Sequence, residues 1–240
     1  MRKKPKKTEE MLEMERESAR LFGKHVSKEK GYTLLALTLL VCAAPMLLGM
    51  RLWDQIPEIV PSGLIGSNGQ DDSLPRWMVV YGLPGLMMLL DAICHGQLLY
   101  HQSRMTLPPT QVRLVGRWGF PILSVLFCSG MMRQAAGVTP VLPLTLTAPA
   151  LLGLLLMMLG AHLWDCPRDA KIALRFSFCQ ETEDWKAVHR FAGWLWLAMG
   201  FLLVLSVLLT DTLALPMAGA VVLSLVAPAA YGRWRSQAAV

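Results

Sequence analysis

The chain has 240 residues, 54% of them hydrophobic and 17% charged, with a mean hydropathy of +0.42 and a formal net charge of +6. Soluble globular domains carry about 25% charged residues spread along their length, whereas here the charges cluster between long uncharged runs, which argues against a soluble domain and makes a bilayer the natural solvent. Ten of the 23 Lys and Arg precede Gly31, so the positive excess reads as a determinant of membrane orientation, and no direct nucleic-acid binding is expected.

In chain order, residues 1–31 form a basic, cytoplasmic amino-terminal segment. Within it, residues 9–22 have helical charge spacing around Glu13, Arg16 and Arg20, with a weak apolar stripe at Leu12, Ala19 and Phe22. That stretch reads as a solvated helix beside anionic headgroups or as a docking helix for a partner. A cleavable signal needs an apolar core directly after a short basic start, so the first apolar segment is expected to be an uncleaved anchor.

Six apolar segments follow, over residues 32–50, 77–100, 114–132, 141–163, 191–209 and 213–231. Each is long enough to cross about 30 Å of hydrocarbon. The fold class expected is all-α: a polytopic bundle of six transmembrane helices with both termini cytoplasmic. Residues 32–110 hold the first two helices with an external loop at 51–76. Residues 111–240 hold a four-helix membrane region with a cytoplasmic loop at 164–190. Arg117 and Pro121 lie early in the third segment, and Pro143 and Pro149 predict a kink in the fourth. No internal repeat is visible, so an inverted-repeat transporter gains no support.

The charges orient the bundle. With the amino terminus inside, the cytoplasmic side collects 20 of the 23 positive residues, and the external side keeps only Arg51, Arg76 and Arg133. This follows the positive-inside rule. The external loop, rich in Pro, Gly, Asn and Asp, favours turns over regular structure. In the cytoplasmic loop, Thr182 is placed to start a helix running through Trp185 and His189 into the fifth crossing. The scattered cysteines, Cys42, Cys94, Cys128, Cys166 and Cys179, form no C-x-x-C pair and read as free thiols.

Ionisable residues inside an apolar span are costly and draw functional interest. Asp91 and His95, four apart on the second helix, share a face and can hydrogen-bond. Asp91 lies about 22 Å along the helix from Arg76, in the inner half. His162 ends the fourth helix, Arg117 enters the third from the same side, and His189 and Arg190 enter the fifth. Asp91 and His95 read either as packing glue between helices or as a proton- or ion-carrying pair. His162, Asp165 and Cys166 match no strong metal signature, so neither a metal nor another cofactor is expected. No nucleophile elbow, phosphate loop or dinucleotide fingerprint occurs, and the expectation is a protein without catalysis. Most tryptophans fall near predicted boundaries, where interfacial anchoring accounts for them.

The run Glu183-Asp184-Trp185-Lys186-Ala187-Val188-His189-Arg190-Phe191-Ala192-Gly193, with Gly200 beyond it, resembles the SdpI family of bacterial membrane proteins. That family has a Trp, a His-Arg pair four residues later, and then a helix with Gly in its first turn. Trp185, His189, Arg190 and Gly193 stand at the matching positions. Gln55-Ile56-Pro57, Gly69-Gln70-Asp71 and Tyr81-Gly82-Leu83-Pro84 are similar to the family's short external domain and the helix entry after it. The chain departs from the family at Gly160-Ala161, where Gly-Asn is usual. It departs again at residues 173–178, where a Gly-Ile-Arg/Lys-x-Pro-Trp run keeps here only Arg175 and an aromatic. The resemblance implies a multi-pass protein of the bacterial plasma membrane. It also implies immunity to, or sensing of, a secreted antimicrobial peptide outside, with a repressor protein held inside.

Overall fold

The computed structural model describes residues 28–65, 71–103, 110–138, 143–163, 174–176, 182–210 and 213–238. They are mostly helical, and six of the helices are long and apolar enough to cross a membrane: Lys30–Arg51, Met78–His101, Val112–Ala135, Leu144–Leu163, Asp184–Leu209 and Leu215–Gln237. We call these the first to sixth spans. The amino-terminal stretch at 9–22 and most of the expected loop at 164–190 lie outside the described residues.

Three spans are interrupted, and prolines lie at or near each interruption. The first is built from Lys28–Ala43 and Pro45–Arg51. Pro45 has no N–H for the Val41 carbonyl, and the Ala44 amide takes that carbonyl instead at 3.2 Å. The second opens with a π-helical turn, Met78–Gly82, ahead of Leu83–Ser103, and Pro84 withholds the N–H that the Val80 carbonyl would otherwise receive. The third runs Thr110–Leu123, a π turn Ser124–Cys128, and Ser129–Ala135, with Pro121 inside it. The fifth helix begins at Thr182, where the sequence placed its start.

The first three spans pack together, as do the last three. Gly31 meets Leu99 and Gly49 meets Val80, so the first and second spans run antiparallel. The third runs parallel to the first, with the Ser124 hydroxyl donating to the Cys42 carbonyl at 2.7 Å. The fourth and fifth spans make the closest contact. A Cβ on Gly153 would sit 2.8 Å from the Gly200 carbonyl oxygen, and one on Gly160 would sit 2.8 Å from that of Gly193. Each pair repeats after seven residues in opposite chain directions, so the backbones of two antiparallel helices touch along one seam.

The sixth span leans on the fifth. The Trp196 indole donates to the Ser224 carbonyl at 2.8 Å, the Phe191 and Tyr231 rings stack at 4.5 Å, and Arg235 bonds Asp184 at 2.6 Å. Its other face leaves Leu215, Val222, Leu225 and Val226 exposed, an apolar surface suited to hydrocarbon. One apolar core links both groups, from Val41 and Leu48 through Val125 and Met132 to Leu154, Met157 and Val204.

Between the first and second spans the composition predicts turns, but the chain forms an antiparallel hairpin. β1 (Ile59–Ile65) pairs with β2 (Asp71–Pro75), with a register shift between Pro61 and Ile65. Burial explains why regular pairing wins. Ile56 and Val60 are inserted into the core, and Arg76 lies 5.1 Å from the Trp53 ring, which also packs on Tyr81 at 5.9 Å. The Arg76 amide closes the base by donating to the Glu58 carbonyl at 2.8 Å. Trp53→Ala should remove both ring contacts at a cost of about 1 kcal/mol. It should raise amide exchange across β1 and β2; unchanged exchange there would mean the ring does not hold the hairpin.

Candidate functional site

The first polar centre lies between the first three spans. Asp91 and His95 are both buried, and they share one helical face, as a four-residue spacing requires. The expected direct hydrogen bond between them is not made, because His95 Nε2 and Asp91 Oδ1 are 3.8 Å apart, beyond hydrogen-bond reach. Thr38 bridges them instead. Its hydroxyl donates toward Asp91 Oδ2 at 2.7 Å and lies 3.3 Å from His95 Nε2. It also lies 3.0 Å from the Leu35 carbonyl of its own helix, a common back-bond for helical threonine.

The third span closes the centre. His95 is hydrogen-bonded to the backbone of Arg117, and that carbonyl is free because Pro121, four residues later, has no N–H to occupy it. In the sequence Arg117 and Pro121 are only a charge and a proline early in the third segment; that together they present an acceptor is visible in the fold alone. The charges of Lys30, Arg113 and Arg117 act on His162, so a basic group gathers at this end of the bundle. His162 itself is exposed in the last turn of its helix. Asp165 and Cys166, weighed with it as metal ligands, lie outside the described residues, among which no cluster of three metal-binding side chains occurs.

The second centre is the start of the fifth helix. The Trp185 and His189 rings stack at 3.9 Å with an interplanar angle of 26°, and both are buried. His189 Nε2 accepts the Leu174 amide at 3.1 Å, and Nδ1 lies 2.9 Å from the Trp185 carbonyl. An amide can only donate and a carbonyl can only accept. The two partners therefore fix a neutral ring with its proton on Nδ1. Leu174 packs against the cluster of Leu156, Leu163, Ala192 and Trp196, so the histidine fastens the described residues 174–176 onto the bundle. Gly193, one turn on, is where the Gly160 backbone comes closest. Arg175 and Arg190 remain exposed beside this joint.

Three participants escaped the sequence reading. Thr38 looked like one polar residue in an apolar span, although its position from the first helix start puts it at the depth of Asp91. Gly153 completes the seven-residue spacing with Gly160 that Gly193 and Gly200 show on the facing helix, a periodicity that could have been counted. Arg133, assigned only to the charge balance, is buried at the opposite end, and its Nη2 lies 3.4 Å from the Val207 carbonyl near the end of the fifth helix. There it meets a terminal carbonyl that lacks an intrahelical donor. Arg133 also lines a cavity of about 20 Å3 with Ser129 and Thr147, room for a single water.

Compared with known proteins, the chain matches no family model, no curated protein and no solved structure.

Proposed function

We propose that this chain is an SdpI-like integral membrane protein that confers immunity to, or senses, a secreted toxic peptide, without catalysis of its own. In this reading it lies in a bacterial plasma membrane with its amino terminus in the cytoplasm. The hairpin faces the peptide, and the surface around Arg175 and Arg190 holds a cytoplasmic repressor. One observation carries the reading. The residues that bear the resemblance, Trp185, His189 and Gly193, fasten an inner loop to the fifth helix and the fifth helix to the fourth. They leave the basic side chains of that joint exposed for a partner.

Deleting the gene should sensitise the host to the cognate peptide, and wild-type protein should restore protection. Arg175→Glu with Arg190→Glu should abolish repressor retention while leaving the protein in the membrane. Unchanged sensitivity across a panel of secreted peptides, including any encoded nearby, would overturn the immunity reading.

A second reading rests on the buried Thr38–Asp91–His95 network: a proton- or ion-coupled carrier. Its test is flux in liposomes, where Asp91→Asn should stop transport. Flux that persists unaltered removes it.

A further inference from the structure

We infer that Thr38, Asp91 and His95 form a proton-binding site in which the Thr38 hydroxyl relays a proton between the carboxyl and the imidazole. The His95 ring is bonded to the Arg117 backbone, where the group set free by Pro121 is a carbonyl. A carbonyl only accepts, so the ring nitrogen facing it carries a proton. Nε2 faces Thr38 at 3.3 Å, which leaves Nδ1 for that carbonyl.

With Asp91 ionised and His95 carrying only that one proton, the single Thr38 proton must serve both Asp91 Oδ2 and His95 Nε2. One buried acceptor then goes without a donor, an arrangement that folded interiors avoid. One added proton completes the network in either of two ways. The proton sits on Asp91 Oδ2 and is donated to Thr38 Oγ1, whose own proton goes to Nε2. Or it sits on Nε2 and is donated to Oγ1, whose own proton goes to the carboxylate.

The two forms interconvert by a concerted shift. The Asp91 O–H bond and the Thr38 O–H bond break as new bonds form at Thr38 Oγ1 and His95 Nε2. Neutral acid and imidazole become carboxylate and imidazolium, with no change in total charge. The Leu35 carbonyl, 3.0 Å from Oγ1, gives the hydroxyl an acceptor when both neighbours carry protons.

Asp91 Oδ1 makes no hydrogen bond among the described residues, although it is fully buried. It is a site where an ionised carboxylate is poorly served and a protonated one loses little. Among the described residues, the charge of Asp91 acts on Cys42 of the first span and Cys94 of the second, and the charge of Arg117 of the third acts on His95. Beyond Arg117, Arg113 continues the basic group. The inference requires neither functional reading, because a site can bind a proton without moving it across a bilayer.

The test is magnetic resonance on the full chain in lipid bilayers, with labelled aspartate and histidine assigned by Asp91→Asn and His95→Gln. In the wild-type protein the Asp91 carboxyl carbon and the His95 Nε2 signals should change together over one pH range, as coupled groups do. Thr38→Val should split their midpoints by about one pH unit or more, and Thr38→Ser, which keeps the hydroxyl, should restore the common transition. Independent wild-type transitions, no change in either signal over the range where the protein stays folded, or coupling that survives Thr38→Val would each overturn it. Where Thr38→Val fails to fold, independent or absent wild-type transitions still overturn the inference, and liposome flux separately decides the carrier reading.

Discussion

Leucine in place of Gly200 should separate the fourth and fifth helices and lose most of the folded protein. A Cβ at Gly200 would press on the Gly153 backbone oxygen and fall 2.9 Å from the Met157 amide nitrogen. These are backbone atoms, which no rotamer change can move aside, so the helices must part. Separation also opens the Gly160–Gly193 contact, because one rigid seam carries both. Overpacking typically costs about 1–3 kcal/mol where side chains can adjust, and here it should reach or exceed the upper end. Denaturant or SDS unfolding in mixed micelles, followed by tryptophan fluorescence, reads the loss. Gly219→Ala on the sixth span is the control. Nothing lies within 4 Å of the added Cβ, so the change should stay within about 0.5 kcal/mol of wild type. Equal stability of Gly200→Leu and wild type would show that the seam does not hold the two helices together.

His189→Ala should act locally and strongly. It leaves the part-buried Leu174 amide without its 3.1 Å acceptor and removes the ring stacked on Trp185. An unsatisfied buried donor costs about 1–3 kcal/mol, enough to free residues 174–176 while the helices stay formed. Hydrogen exchange at Leu174 should rise by about one order of magnitude or more, and proteases should gain access to the loop. In the wild-type protein, labelled His189 should show an unprotonated Nε2 and a protonated Nδ1. The opposite tautomer, or slow exchange at Leu174 in the variant, would remove the histidine as the fastening. Under the proposed function the same variant should weaken repressor retention and leave the external hairpin unaffected.

How much of this was legible beforehand follows from the range of each interaction. Span number and the fifth-helix start at Thr182 depend on apolar length and on residues a turn apart, both visible in one dimension. That Asp91 and His95 share one face followed from their spacing, whereas the burial of that face is decided by packing. Their failure to bond directly did not, because it is set by Thr38, 53 positions earlier on another helix. The hairpin was misread for the same reason. Its Pro- and Gly-rich composition favours turns, and only insertion of Ile56 and Val60 into the core outweighs that preference.

By itself, then, the sequence determined the six apolar helices, the asymmetry of charge between their ends, and the presence of costly polar groups within them. All three are sums over neighbouring residues. The tertiary structure alone decided which groups meet: Thr38 with Asp91 and His95, Pro121's vacated carbonyl with the imidazole, Leu174 with His189, and Gly153 and Gly160 with Gly200 and Gly193. The reason is physical. A hydrogen bond or a backbone contact between helices depends on tenths of an ångström in rotation and offset, and these emerge only when all the helices pack at once.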